Sequence, residues 1–339
     1  MRVAVDAMGA EKGVGIVIEG ALKAIEENSE IEVTLVGDEM RIEDKIKSLC
    51  PGESPFSIIH APEVIEMADP AAASLKTKKK SSISVAVDLV KEGKVDGLVS
   101  AGNTGAIMAS SLLKLGKVGG VKRPCLAAVF PTLDGGKVVI LDVGANVDCR
   151  PEHLFQFAVM GSIYAYKVLK RRKPRVGLLS VGAEENKGNE LVLQSHRLLR
   201  QSSLNFVGNI EGGDITGGGV EVVVCDGFVG NIILKFAEGL ARTALAIVDK
   251  ELKGAFLGLK GMVLGEWPER LKKDLDYAEY GGVPLLGVRG VCVIAHGASS
   301  GKAIKNAILA SFQYGQGRIN QHIEIALAKT RVKHEPKKG

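Results

Sequence analysis

Apolar residues in this chain fall into short, largely β-branched runs, separated by longer stretches in which they recur every three or four positions. The runs are Arg2–Asp6, Glu32–Gly37, Phe56–Ala61, Val95–Ala101, Cys125–Phe130, Lys137–Val143, Arg175–Val181, Asn205–Ile210, Val220–Asp226 and Val291–His296. Short apolar runs bounded by Gly, Asn or Asp predict buried strands, and a three-to-four spacing predicts helices with one apolar face. The helical stretches are Gly13–Glu27, Asn103–Leu115, Glu152–Leu169, Asn186–Arg200 and Ile232–Lys253, and Gly301–Thr330 closes the chain as one more. Repeated strand–helix units predict an α/β fold of three layers, a mostly parallel sheet with helices on both faces. Cys125–Phe130 and Lys137–Val143 meet across Asp134-Gly135-Gly136, which predicts one antiparallel hairpin. No linker divides the chain. Residues 1–330 are expected to form a single domain, with a helical hairpin protruding at about 232–275 and a disordered basic tail at 331–339.

Four of the runs break off into Gly-Asn turns that lead toward helices. These turns are Ala101-Gly102-Asn103-Thr104-Gly105, Gly144-Ala145-Asn146-Val147-Asp148, Lys187-Gly188-Asn189-Glu190 and Asp226-Gly227-Phe228-Val229-Gly230-Asn231. Glycine permits a tight turn, and the unpaired N–H groups of a helix start point at whatever anion sits there. Asn adds an amide that donates and accepts without charge. Four such turns predict a polar cleft at the C-terminal ends of strands, shaped for phosphate or carbonyl oxygens.

Composition narrows the picture. A 46% hydrophobic content with only 4% aromatics fits an aliphatic sheet interior. The net charge of +5 comes from dispersed basic residues, and without stacking aromatics it does not indicate nucleic acid. The five cysteines lack C-x-x-C spacing, so neither a zinc site nor a disulfide framework is predicted. The N-terminus begins directly with a strand and no stretch is long enough to span a bilayer, so a cytosolic protein is expected.

Many ordered motifs carry a family resemblance. They are VAVDAMG at Val3–Gly9, SAGNTGA at Ser100–Ala106, LDVGANVD at Leu141–Asp148, PEHL at Pro151–Leu154, KGNEL at Lys187–Leu191, VGNIEGGDI at Val207–Ile215, DGFVGN at Asp226–Asn231, YGGVPLLG at Tyr280–Gly287 and AHG at Ala295–Gly297. On these the chain resembles the PlsX family, the phosphate acyltransferases of bacterial phospholipid synthesis, over essentially its whole length. The resemblance implies a homodimeric enzyme, similar in fold to the isocitrate and isopropylmalate dehydrogenases. It implies cleavage of acyl–acyl carrier protein by inorganic phosphate, giving acyl phosphate for a membrane glycerol-phosphate acyltransferase. Where the family usually reads Met-Gly-Gly-Asp, this chain has Met8-Gly9-Ala10-Glu11, so the expected role falls on Asp6 rather than Glu11.

Phosphate attack on a thioester needs a dianion held beside an acyl chain and donors aimed at the carbonyl oxygen. The thiolate is a good leaving group, so proximity and charge stabilisation suffice without a covalent intermediate or a metal. Lys187 is the first choice for the charged catalytic group, with Asn189 beside it, Asp226 orienting Lys187 or backbone groups, and His296 as a further candidate. A surface ion pair with Glu184 or Glu185 is the competing role for Lys187. Gly102, Asn103, Thr104, Asn146, His153 and Asn231 are candidates for phosphate or substrate binding, in competition with helix capping. Ser299 and Lys302, after His296-Gly297, form another phosphate-nest candidate. His153, in a helix's first turn, is expected to stay neutral. Lys78, Lys79 and Lys80 belong to a basic run that could dock the acidic carrier protein.

Gly254–Trp267 is dense in apolar residues, with four glycines on one side of a helical wheel and Phe256, Val263 and Trp267 opposite. Basic residues flank it, which suits an interfacial membrane contact, and a dimer-interface hairpin is the competing reading. Two other functions compete with acyl transfer to phosphate. A metal- and nicotinamide-dependent decarboxylating dehydrogenase rests on fold analogy alone, and the chain offers no Asp cluster for its metal. A membrane-associated scaffold for acyl carrier protein would leave the Gly-Asn turns without a role.

Overall fold

In the computed structural model, which describes residues 1–255 and 281–334, one 11-stranded sheet runs through the molecule. The strands are β1 Arg2–Asp6, β2 Glu32–Gly37, β3 Ser57–His60, β4 Gly97–Ser100, β5 Cys125–Pro131, β6 Lys137–Leu141, β7 Val176–Leu179, β8 Phe206–Ile210, β9 Val222–Val224, β10 Val283–Leu286 and β11 Val291–Ile294, in the order β3-β2-β1-β4-β11-β10-β5-β6-β9-β7-β8. The helices are α1 Val14–Glu27, α2 Glu39–Leu49, α3 Ala71–Thr77, α4 Ser82–Lys91, α5 Thr104–Lys114, α6 Pro151–Lys167, α7 Glu190–Arg200, α8 Gly227–Ala255, α9 Gly301–Gln316 and α10 Ile319–His334.

The strands are apolar on both faces, and their two-residue period feeds two cores. Val3, Val5, Val99, Leu141, Val222 and Val224 join the core under α1, α2, α6, α7, α9 and α10. Ala4, Leu98, Ile140 and Val223 join the opposite core under α4 and α5, against which Ile233 and Leu234 of α8 also pack. The expected three layers are therefore present, built from aliphatic side chains whose burial is worth about 25 cal/mol per Å².

The expected β5–β6 hairpin is antiparallel, pairing Ala128 with Ile140. Strand β10, unforeseen in the pattern, is inserted antiparallel between β11 and β5. Its Val-Pro-Leu-Leu sequence, preceded by two glycines, carries too few β-branched residues to read as a strand; pairing on both sides supplies what local preference does not. The closing helical stretch is not one helix. It breaks at Gly317 and Arg318, where Arg318 adopts φ 47, into α9 and α10. Among the described residues no helix is long and apolar enough to cross a membrane.

The reversals at β10 and β6 have a consequence for the site. β1, β2, β3, β4, β11 and β5 run one way, and β10, β6, β9, β7 and β8 run the other. The C-terminal ends of the two groups therefore lie at opposite edges of the sheet. They are separated along the seven-residue β5 by about 20 Å. The single cleft expected for all four Gly-Asn turns does not exist within one chain.

Candidate active site

The first edge gathers the ends of β1, β4 and β11. Asp6 is fully buried and accepts from Met8 N–H at 3.0 Å and from the Ser100 hydroxyl at 2.6 Å. The Ser100 hydroxyl oxygen in turn accepts from Gly102 N–H at 3.1 Å. Burial pushes the Asp6 carboxyl above its ordinary value, against the pull of these donors. Gly9 lies against the same turn, so close that a Cβ would stand 2.5 Å from Gly102 N. Asn103 caps α5, its carbonyl oxygen accepting from Ala106 N–H, while its amide donates to the carbonyls of Glu66, Met67 and Asp69. Thr104 is the first residue of α5. Asp6 and Asn103 thus spend their polar atoms shaping the turn, and Asn103 pins the 66–69 segment over it.

At the neighbouring β11 end, His296 Nδ1 accepts from Ala298 N–H at 3.1 Å. That bond leaves the proton of a neutral ring on Nε2, which stands 4.0 Å from Glu238 Oε2 of α8. Glu238 also pairs with Lys235 at 2.9 Å. Ser300 caps α9 by accepting from Ala303 N–H, and half-buried Lys302 sits in that helix's first turn. The Ser299 hydroxyl is buried without a hydrogen-bond partner among the described residues. Beside these groups opens a cavity of about 520 Å³, walled by β5, α8, β10 and β11 and lined mostly by apolar side chains, with His296, Glu238, Ser299 and Thr216 as its polar members.

The opposite edge holds the ends of β6, β7 and β9. Asp142 is buried and accepts from the N–H groups of Leu126, Gly144, Ala145 and Asn146 and from the Asn146 amide. Asn146 also donates to Pro124 O, so its amide is spent holding two loops together. Asp226 caps α8 by accepting from Val229 N–H at 2.9 Å, the backbone-orienting one of its two expected roles. Asn189 likewise caps α7. Asn231, exposed on α8's first turn, faces Gly144. Lys187 is exposed, and it is its carbonyl that accepts, from the Ser180 hydroxyl at 3.3 Å. Among the described residues no ion pair of Lys187 with Glu184 or Glu185 forms, and Glu185 instead pairs with Arg200.

His153 Nδ1 accepts from Arg150 N–H at 3.1 Å, so the ring itself caps α6. Burial first, then the Arg123 guanidinium, holds its pKa below the usual 6.5. The expected neutral ring is supported, with burial as the main cause. Below about pH 6.5 the unfolded chain takes up a proton that the native ring refuses, so stability falls as pH drops through that window. His153→Gln is expected to flatten this fall. Urea midpoints at pH 7.5 and 5.5 that shift equally in both proteins would remove His153 from the pH dependence.

In the basic run, Lys78 donates to Val64 O and pairs with Asp69 at 2.6 Å. Lys79 and Lys80 are exposed, and the Asp69 pairing ties this run to the segment pinned by Asn103. Phe256, Val263 and Trp267 lie outside the described residues.

The family model described as "Fatty acid synthesis protein" matches residues 1–322. A phosphate acyltransferase of Heliobacterium modesticaldum is 49% identical over 329 residues, covering 95% of this chain and 98% of that one. The phosphate acyltransferase of Desulforamulus reducens is 50% identical, covering 91% and 92%. The chain belongs to the phosphate acyltransferase family. Among solved structures, a phosphotransacetylase from Streptococcus pyogenes aligns with a TM-score of 0.63 at 17% identity, covering 94% of each chain, a likeness of fold.

A phosphate acyltransferase moves an acyl group onto phosphate, and the buried thiols are unsuited to carry that group. Burial raises Cys125 and Cys225 far above the ordinary thiol value and pushes Cys292 up to about 12. The sequence pattern missed Glu238, Ser100 and Asp142. Glu238 sits in a helix whose other face gave no cue, and only the crossing of α8 over the β11 end brings it to His296. The Asp-Val-Gly-Ala-Asn motif contains Asp142, but its reading stopped at the glycine turn that Asp142 organises.

Proposed function

We propose that this phosphate acyltransferase takes its acyl group from the thioester of acyl carrier protein, with the carbonyl held at the His296–Ser300 turn. The observation carrying this reading is the meeting of an unspent buried hydroxyl, an imidazole and the α9 N-terminus with an apolar cavity, at the edge where Lys79 and Lys80 stand exposed. Acyl carrier protein is acidic, and exposed lysines beside the site would speed its encounter.

In this reading a phosphate oxygen attacks the thioester carbon, and negative charge develops on the carbonyl oxygen. The Nε2–H of His296 and the Ser299 hydroxyl are the donors placed to meet that charge. The thiolate of the carrier's prosthetic arm then leaves, and the acyl–phosphate bond is complete. Neither a covalent acyl-enzyme nor a metal enters the scheme. The test is direct: purified protein, acyl carrier protein thioester and phosphate, with acyl phosphate trapped as hydroxamate. Product from acyl carrier protein that falls sharply in the Lys79→Glu/Lys80→Glu variant is the expected result. Product formed only from a low-molecular-weight thioester would remove the carrier protein as donor.

Two further parts of the reading concern assembly. Phe228, Ile232, Phe236, Leu240 and Ile247 lie exposed along α8, an apolar stripe suited to a second copy of this chain, for which sedimentation equilibrium is the measurement. Membrane contact through Phe256, Val263 and Trp267, which would hand acyl phosphate to a membrane glycerol-phosphate acyltransferase, rests on the sequence of that segment. Liposome co-sedimentation of the Phe256→Asp/Val263→Asp variant is its measurement.

A further inference from the structure

We infer that the cavity between α8 and the sheet receives the fatty acyl tail, and that the alanine face of α8 sets how long a tail is accepted. The inference rests on the acyl-transfer reading above and adds the substrate's chain length to it. The cavity's volume of about 520 Å³ lies within the range of small-molecule pockets. Its chemistry is one-sided. Val129, Phe130, Val283 and Ile294 wall it from the sheet, and Leu234, Ala237, Ala241 and Ala244 wall it from α8. Such a lining offers nothing to a nucleotide or a sugar, whose polar atoms would be left unpaired at a cost.

The polar members instead mark where the apolar ligand must become polar. His296 and Glu238 approach to 4.0 Å, and Ser299, itself 1% exposed, contributes a hydroxyl with no hydrogen-bond partner among the described residues. An orphaned buried hydroxyl calls for an acceptor or donor that arrives with a ligand. A long hydrocarbon ending in a carbonyl supplies that acceptor, and it fills the remaining volume with methylenes.

Ala237, Ala241 and Ala244 recur at helical spacing, so three methyl groups, flanked by Leu234, Glu238 and Leu240, form the narrow part of the α8 wall. A larger side chain there takes up volume that the tail's distal methylenes would occupy. Ala241 is half-buried, on a helix held to the core by Ile233 and Leu234, so an aromatic ring at this position leaves the fold standing.

The experiment compares wild type with Ala241→Phe. Acyl phosphate synthesis is measured from carrier-protein thioesters of eight, twelve and sixteen carbons. The variant is expected to lose roughly 10–100-fold in kcat/KM with the sixteen-carbon substrate while the eight-carbon substrate changes little. In parallel, cis-parinaric acid, which fluoresces in apolar sites, is titrated into both proteins and displaced with palmitate. Saturable, palmitate-displaceable binding in wild type that is weakened in Ala241→Phe supports the cavity independently of turnover. If binding behaves so but no thioester yields acyl phosphate, the function reading fails and the cavity assignment stands. Equal loss at every chain length, or undiminished parinaric acid binding in the variant, overturns the inference.

Discussion

Gly230→Ala is expected to destabilise the fold strongly. A Cβ at this position would stand 1.8 Å from the Asp142 carbonyl oxygen and 2.8 Å from its carbonyl carbon, both rigid backbone atoms. The first turn of α8 is fixed there from two sides: Gly227 N–H donates to Asn146 O, and Asp226 caps Val229. Asp142 cannot give way either, because five donors hold its carboxylate and Cys225 N–H bonds the carbonyl of the preceding Leu141. Relieving the clash requires lifting the N-terminal end of α8 off β6. Overpacking of a well-packed site costs about 1–3 kcal/mol, and contact with rigid backbone puts this one at the upper end or beyond. The measurement is the urea midpoint, with near-UV circular dichroism to report packing. A midpoint within experimental error of wild type would show that α8 does not depend on this close approach. It would also loosen the helix face on which the proposed acyl cavity rests.

Much of this architecture is legible in the residues. The central β-branched runs become strands because they bury both faces, as Val223 does against one core and Val222 and Val224 against the other. The hairpin at Asp134-Gly135-Gly136 follows from turn chemistry, which acts over a few residues. What stays hidden depends on distant partners. β10 is a strand because β11 and β5 offer it open edges on both sides. Helices α2 and α4 pass unnoticed because their charge and serine content dilutes the periodic pattern, although Asp38 and Ser81 cap them in the ordinary way.

For the site, each Gly-Asn turn is recognisable singly, but not the edge at which it emerges. Strand direction decides that, and β10 and β6 reverse it. Nor does a sequence distinguish an Asn that offers its amide to a ligand from one that spends it on the fold. Asn103 and Asn146 belong to the second kind, since their amides bridge separate loops. Ser299 and Glu238 gain their interest from what surrounds them, the one by lacking a partner and the other by facing His296.

The separation of the two edges sets up the last expected result. Lys187 and His296 are both candidate catalytic groups, yet they sit at opposite strand ends, and the acyl-sized cavity adjoins only His296. His296→Ala is expected to lower kcat by ~10²–10³, the usual loss when one donor to a developing oxyanion is removed. The fold should persist, because the imidazole is 41% exposed and water can replace it as acceptor for Ala298 N–H. Lys187→Ala, by the same reasoning, should keep turnover close to wild type and alter stability little, its side chain being exposed. Hydroxylamine trapping of acyl phosphate across the two variants gives the answer. If the pattern reverses, with Lys187→Ala losing two orders of magnitude and His296→Ala unimpaired, then transfer takes place at the β6–β9–β7 edge. The hydroxyl of Ser299 would then have to be explained by something other than the reacting carbonyl.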